Sequence, residues 1–246
     1  MPRHNQPAIT EGVIWKQLLA FFFPILMGSL FQQLYNTADT IIVGRAIGTQ
    51  ALAAVGSSAS FINLVNGFFI GLSSGASVIL SQYYGAGNRA GTEKALHTGF
   101  FLSLILGGLT ALLGITSGPV ILRLIRTPEN CIADAVLYVQ LYFTGSVAAM
   151  VYNMGTGLLR AMGDSVRPTV FLIICCALNV ILDLLLVVVW PLGVAGAAIA
   201  TVLSQCISAL LVIICLCRLP EDHRLRWKQL LAFFFPILMG SLLQQL

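Results

Sequence analysis

The chain has few charged residues. Only 9% of its 246 residues are Asp, Glu, Lys or Arg, whereas 58% are hydrophobic and the mean hydropathy is +0.92. A soluble domain carries about 25% charged residues, so this shortage excludes a water-soluble globular protein. The net charge of +4 also gives no indication of nucleic-acid binding. The composition is typical of a polytopic protein whose apolar surface faces the lipid bilayer.

The sequence also lacks the residue clusters of enzymes and metal sites. Its six cysteines have no companion His or Cys cluster at zinc spacing, and five of them lie in apolar runs. No nucleophile–base pair or cofactor motif occurs in a plausible site. The turn Gly85–Arg89 lacks the spacing and the GKS/T ending of a phosphate-binding loop. We therefore expect no enzymatic activity and no cofactor.

Long apolar runs fill most of the chain. Each run holds the roughly 20 mostly apolar residues that a membrane helix needs. The sequence therefore predicts an all-α membrane protein, a six-transmembrane-helix bundle followed by a partial seventh helix. Pro24 within the first run predicts a hinge, because proline removes a backbone donor and clashes with the preceding turn. The six predicted spans are about 16–44, 51–83, 94–115, 133–159, 169–190 and 194–216.

The distribution of Lys and Arg predicts the orientation. If the N-terminus is inside, ten of the thirteen basic residues lie on the inner side, and only Arg45, Arg123 and Arg126 lie outside. The positive-inside rule favours this arrangement. We therefore expect a multi-pass protein of the plasma (inner) membrane with a cytoplasmic N-terminus. The short turn Trp190–Gly193 then joins the fifth and sixth spans on the outside.

Two acidic residues, Asp39 and Asp183, lie well inside predicted spans, whereas the other seven lie in the N-terminal arm or near helix ends. An ionisable group within a bilayer costs at least roughly 2.5–3.5 kcal/mol, and such groups usually mark ion or proton pathways. At about 1.5 Å per residue, both acids and Thr201 fall in the outer half of the membrane. Asn179 lies four residues before Asp183, on the same helix face. These four residues form a candidate site for a proton or for Na⁺, which prefers oxygen ligands.

A structural role is the alternative for each of these polar residues. A buried Asp can simply hydrogen-bond across helices and lock a bundle. Two acids at matched depth, with an amide and a hydroxyl nearby, favour the functional interpretation. Other polar residues within spans either line a substrate cavity or only join helices; the cavity candidates are Gln32, Gln33, Tyr35, Asn36 and Asn153.

The end of the chain repeats its beginning. Residues 227–246 match residues 15–34 at nineteen of twenty positions, with an offset of 212. A repeat at that distance predicts a second copy of a six-helix unit, and many transporters contain two such units. The predicted organisation is an N-terminal cytoplasmic arm, a six-helix lobe, a cytoplasmic linker and a truncated second copy, at residues 1–14, 15–217, 218–226 and 227–246.

Several motifs, taken in order, carry a resemblance to a known family. They are ADTIIVGRAIGTQALAAVG, GLSSGASVILSQYYGAGN, GLLRAMGDSVRPT and NVILDLLLVVVWPLGVAGAAIATVLSQ. Together they resemble the N-terminal six-helix lobe of the multidrug and toxic compound extrusion (MATE) family. The resemblance implies two lobes related by a pseudo-twofold axis, and export of organic cations and drugs in exchange for H⁺ or Na⁺.

The resemblance also implies roles for individual residues. Asp39 is similar to the acid of the family's first helix, and Asn179, Asp183 and Thr201 are similar to the polar residues of its N-lobe cation site. Pro24 resembles the first-helix proline at which bending has been proposed. One lobe cannot enclose the family's central cleft, so a second lobe or a homodimer is expected for transport.

Two other functions stay open from the sequence. The first is a flippase for lipid-linked oligosaccharides, which is disfavoured because no Lys or Arg lies in the middle of a span. The second is a non-transporting membrane bundle, engineered or truncated, which the near-exact repeat supports.

Overall fold

The computed structural model describes residues 14–219, which form seven α-helices and one π-helical segment. The predicted seventh helix at 227–246 lies outside the described residues, as do most of the arm and the linker. The domain boundaries drawn there stay predictions. The helices are α1 (Ile14–Ala46), α2 (Thr49–Gly85), α3 (Arg89–Leu124), α4 (Ile132–Thr144), α5 (Ser146–Ala161), α6 (Val166–Asp183) and α7 (Val194–Cys217), with the π-helical segment Leu184–Val189 between α6 and α7.

Within residues 14–219, five helical spans are long and apolar enough to cross a membrane, and a bent helix pair brings the number to six. This agrees with the predicted all-α class and with the six predicted spans. Large apolar side chains such as Leu64 and Leu124 are about three-quarters exposed. Such an exterior suits hydrocarbon, in which helices satisfy their own backbone hydrogen bonds.

The fourth predicted span is two helices rather than one. Helices α4 and α5 meet at Gly145 with a bend of 51°. A Cβ atom on Gly145 would lie 3.0 Å from Val202 Cγ2 and 3.2 Å from Gln205 Oε1. The glycine therefore lets α7 approach the bend closely. The sequence reading missed the bend because the apolar pattern continues through it.

The third span is longer than predicted. Helix α3 continues to Leu124 and includes Pro119, whereas the sequence placed the end of the span near residue 115. Gly118 explains part of the difference, because a Cβ atom there would lie 2.8 Å from Val139 Cγ1. Close packing of α3 against α4 thus keeps this last part of the helix in the bundle.

The interior consists of two apolar clusters. One surrounds α4 and includes Val43, Leu122 and Phe143. The other surrounds α5 and includes Met154 and Val212. The bend at Gly145 separates the two clusters along the chain, so α4 and α5 each serve as a centre of packing.

The chain leaves α6 through the π-helical segment. The Trp190 N–H donates to the Leu185 carbonyl at 2.8 Å, which is the i to i−5 spacing of a π-helix. Gly196 near the start of α7 allows close approach, since a Cβ atom there would lie 2.7 Å from the Leu186 carbonyl oxygen. This contact fixes α7 beside the end of α6, where Asp183 lies.

Candidate ion site

Four residues that the sequence predicted to cluster lie together in the structure. They come from three helices: Asp39 from α1, Asn179 and Asp183 from α6, and Thr201 from α7. All four are buried, and their exposed fractions are 8%, 1%, 0% and 2% in that order. The depth argument from the sequence therefore agrees with the three-dimensional arrangement.

Asn179 connects the members of this cluster. In one orientation of the amide, its nitrogen donates to Thr201 Oγ1 at 3.3 Å. In the flipped orientation, which satisfies both polar atoms of the amide, the nitrogen donates to Asp183 Oδ2 at 2.9 Å. The oxygen then accepts from the Thr201 backbone N–H at 3.3 Å. Asn179 thus holds one carboxyl oxygen of Asp183 in place and links α6 to α7.

The two carboxyl groups face each other. Asp39 and Asp183 lie within hydrogen-bonding reach, although their helices are far apart in the chain. The Oδ1 atom of each is buried and has no hydrogen-bond partner among the residues that the structure describes. Two adjacent carboxylates in a dry interior repel each other unless a proton or a cation lies between them. The geometry therefore suits a small cation or a shared proton.

The oxygen donors of the cluster are two carboxyls, one amide and one hydroxyl. Among the described residues, no group of three or more His, Cys, Asp or Glu side chains could hold a metal ion. Two carboxyl groups with neutral oxygens are a donor set of low total charge. Such oxygens suit a hard cation such as Na⁺.

The predicted cavity residues on α1 do not join this cluster as a group. Gln32, Gln33 and Asn36 are exposed at the surface of the described lobe. Tyr35 is half-buried and lies near Asp39. The structure therefore presents three polar α1 side chains outward, and only Tyr35 approaches the acid pair.

Asn153 lies in a helix contact. Its side-chain nitrogen donates to the Ala149 carbonyl at 2.8 Å, and its backbone carbonyl accepts from Ser73 Oγ at 2.6 Å. The first bond lies within α5, and the second joins α5 to α2. Its role in a substrate cavity stays a prediction.

Pro24 lies inside α1, which continues through it as one helix. The Thr169 hydroxyl donates to the Pro24 carbonyl at 2.9 Å and also lies 2.9 Å from the Ser165 carbonyl. The proline is thus tied to the first turn of α6. Bending at this residue stays a prediction.

Two tyrosines of α4 extend the site, and the sequence reading missed both. Tyr138 is 5% exposed and lies near Asp39 and Asp183. Its ring stacks on that of Tyr142, with centroids 6.3 Å apart. The sequence YVQLY could have indicated them, because two tyrosines four residues apart lie on one face of a membrane helix.

Comparison with known proteins agrees with this architecture. The MatE family model matches residues 24–185. A probable multidrug resistance protein of Bacillus subtilis, YpnP, is 35% identical over 204 residues, which are 82% of this chain and 45% of that protein.

Solved structures give the same result. A MOP superfamily transporter from Pyrococcus furiosus aligns with a TM-score of 0.80 and 27% identity, covering 87% of this chain and 47% of that one. A MATE crystal structure in the bent conformation aligns with a TM-score of 0.79 and 27% identity, covering 87% and 48%.

The chain spans about half the length of these relatives. The family consists of membrane transporters rather than enzymes, as the sequence predicted. The match covers most of the described helices and the fold agrees over the same region. The chain is therefore a multi-pass membrane protein that belongs to the MatE family.

Proposed function

We propose that this chain is one lobe of a multidrug antiporter that exchanges small organic cations or drugs for H⁺ or Na⁺. The observation that carries the proposal is the buried pair Asp39 and Asp183, each with one carboxyl oxygen that no donor within the described residues 14–219 satisfies. A bundle stabilised only by polar contacts would satisfy these oxygens within the protein. A proton or Na⁺ between them supplies the missing partner, and no other cofactor is required.

The same pair suggests how the ion acts on conformation. Asp39 is on α1, whereas Asp183 is on α6, so a cation between them joins the two helices. When the ion leaves, the two charges repel and α1 separates from α6. Bending at Pro24 accommodates this movement. The ion shifts the equilibrium because it binds the two states with different affinity.

The orientation follows from the basic residues, with the N-terminus in the cytoplasm and the chain in the plasma (inner) membrane. In this orientation the acid pair is in the outer half of the bilayer. H⁺ or Na⁺ then enters from the outside and neutralises the pair. Repacking of α1 weakens substrate binding, and the substrate leaves outward.

A substrate cleft requires a second lobe. Gln32, Gln33 and Asn36 are exposed polar residues on a membrane helix, and they are the candidates to line a cleft between two lobes. The second lobe is either the other half of a longer chain or a second copy in a homodimer. Mass determination of the purified chain in detergent tests the homodimer, which is expected near twice 26.4 kDa. A strict monomer would contradict transport by this chain alone.

A transport assay on an Asp183→Asn variant tests the coupling. The chain is reconstituted in liposomes, and efflux of a fluorescent organic cation is driven by an imposed Na⁺ or H⁺ gradient. We expect loss of gradient-driven efflux, because an amide holds no proton or cation at this position. Glu129→Gln is the control, since Glu129 is an exposed residue of the loop between α3 and α4. Unchanged efflux in Asp183→Asn contradicts the proposed coupling.

A further inference from the structure

A second polar cluster lies one helical turn from the acid pair. Tyr142 follows Tyr138 by four residues in α4, and Gln205 follows Thr201 by four residues in α7. Residues four apart share one helix face and are separated by about 6 Å along the axis. The helices α4 and α7 thus carry two successive polar layers, and the second is displaced from the acid pair in the same direction on both.

Three helices meet in this second layer, which consists of Asn66, Tyr142 and Gln205. Asn66 Nδ2, from α2, donates to the Tyr142 hydroxyl at 3.3 Å. The Gln205 side chain lies near the same hydroxyl. Tyr142 is 8% exposed, so these contacts lie inside the bundle. Asn66 and Gln205 are not among the residues of the candidate ion site, whereas Tyr142 adjoins that site through its stacking on Tyr138.

Gln205 has an acceptor without a donor. Its Oε1 atom is buried and accepts no hydrogen bond from the described part of the chain. The bend at Gly145 keeps α4 and α5 close to this atom, since a Cβ atom there would lie 3.2 Å from it. Leaving a buried acceptor unsatisfied costs about 1–3 kcal/mol. A ligand that carries a donor or a positive charge removes that cost.

Each of the two layers contains buried oxygen atoms that lack a hydrogen-bond donor among the described residues. Asp39 Oδ1, Asp183 Oδ1 and Gln205 Oε1 are all buried oxygens without a donor. The first layer is acidic, whereas the second offers only neutral amide and hydroxyl groups. Neutral oxygens bind a hard cation or a proton-carrying water, but they hold it less strongly than carboxylates do.

We propose that Asn66, Tyr142 and Gln205 form a second position for the coupling cation, either Na⁺ or a proton carried by water, one helical turn from the acid pair. The proposal rests on the proposed coupling function. In this arrangement an ion released by Asp39 and Asp183 passes to a weaker neutral site before it leaves the lobe. Tyr142 acts as the shared member, because it contacts both Asn66 and Gln205.

Cation-dependent thermal stabilisation of the full chain in detergent tests this position. Na⁺ is titrated against choline at constant ionic strength, and a parallel titration varies pH without Na⁺, so that the two sources of positive charge are separated. The variants are Gln205→Leu, which removes the amide, and Tyr142→Phe, which keeps the ring packed on Tyr138 and removes the hydroxyl. Gln140→Leu is the matched control, a half-buried glutamine of α4 outside the second layer.

We expect the apparent affinity for the cation to fall about tenfold in Gln205→Leu and in Tyr142→Phe, because one oxygen ligand of Na⁺, or one hydrogen-bond partner of the proton-carrying water, is lost. Gln140→Leu is expected to titrate like the parent chain. Gln205→Glu replaces the unsatisfied amide oxygen with a carboxylate, and this variant is expected to bind the cation more tightly. This gain of affinity keeps the test valid if Gln205→Leu folds poorly.

The outcomes separate this inference from the proposed function. If Asp183→Asn abolishes the cation response while Gln205→Leu, Gln205→Glu and Tyr142→Phe leave it unchanged, the second position is overturned and the coupling function stands. If Asp183→Asn leaves the response intact while Gln205→Leu weakens it, the second position is supported and the acid pair is not the coupling site.

Discussion

Helices α1 and α7 both contribute to the candidate ion site, but the lobe holds them in different ways. In the most apolar stretch of α1 only 6% of the residues are buried, compared with 39% in α7. Asp39 and Val43 form one buried strip on α1, whereas most of the remaining large side chains of that helix are exposed. Helix α7 is surrounded by α4, α5 and α6 through small residues such as Ala197 and Ala200.

This difference separates a fixed part of the site from a movable part. Thr201 lies on α7, and the same contacts that bury α7 hold this hydroxyl beside Asn179. Asp39 lies on a helix with few buried residues, and such elements open at low free-energy cost. We infer that Asp39 is the member of the site whose position changes between states, whereas Asn179, Asp183 and Thr201 form a stationary wall.

Replacing the movable acid is expected to have the largest effect. Asp39→Asn leaves Asp183 as the single carboxyl of the pair, so the attraction of the site for a cation falls. We expect the cation-dependent thermal stabilisation to be lost, with a drop in affinity of at least tenfold, or about 1.4 kcal/mol. Thermal unfolding of the purified chain at increasing Na⁺ concentration, and separately at varied pH, measures this affinity. Parent-like titration curves would show that Asp39 is only a structural residue.

The second prediction concerns the fixed wall. Gly196→Ala places a Cβ atom 2.7 Å from the Leu186 carbonyl oxygen, and a backbone atom cannot rotate away. Overpacking of this kind costs about 1–3 kcal/mol of unfolding free energy. Denaturant unfolding in detergent measures the loss. Gly108→Ala is the control, because nothing lies within 4 Å of a Cβ atom there. Equal stability of the two variants would contradict the close contact of α7 with the π-helical segment.

The third prediction concerns the attachment of α1. Thr169→Val removes the hydroxyl that donates to the Pro24 carbonyl. A hydrogen bond of this kind contributes about 0.5–1.5 kcal/mol, and here the loss falls on α1 rather than on the whole lobe. Hydrogen exchange is expected to become faster in α1 while α7 keeps its protection. Uniformly faster exchange across all helices would contradict the separate opening of α1.

The smallest effect is expected for Gly28→Ala, the α1 counterpart of Gly196→Ala. The nearest atom to a Cβ on Gly28 is Leu172 Cδ2 at 3.2 Å, which is the end of a flexible side chain. Since the leucine can move by a few tenths of an ångström, we expect a change below about 1 kcal/mol in unfolding free energy. A loss as large as that of Gly196→Ala would show that α1 is held as rigidly as α7.

The sequence predicted the membrane class, the approximate spans and the four clustered site residues. It predicted that Asp39 and Asp183 lie close together because a charge within an apolar span is visible without knowledge of the fold, and because helix rise converts residue number into an expected depth. Their role in ion binding stays a prediction. It missed Tyr138 and Tyr142 because the local sequence around a tyrosine in a membrane helix is the same whether the side chain faces lipid, a neighbouring helix or a cavity.

Composition and periodicity therefore determined by themselves that this chain crosses a membrane as helices and that two acids lie within its apolar spans. Only the tertiary structure decided that α4 and α5 bend at Gly145, that Gln32, Gln33 and Asn36 point away from the acids, and that Tyr138 adjoins them. The physical reason is the rotation of each helix about its axis. Contacts between helices determine this rotation. In an almost uniformly apolar sequence, the order of residues does not indicate which face of a helix is buried.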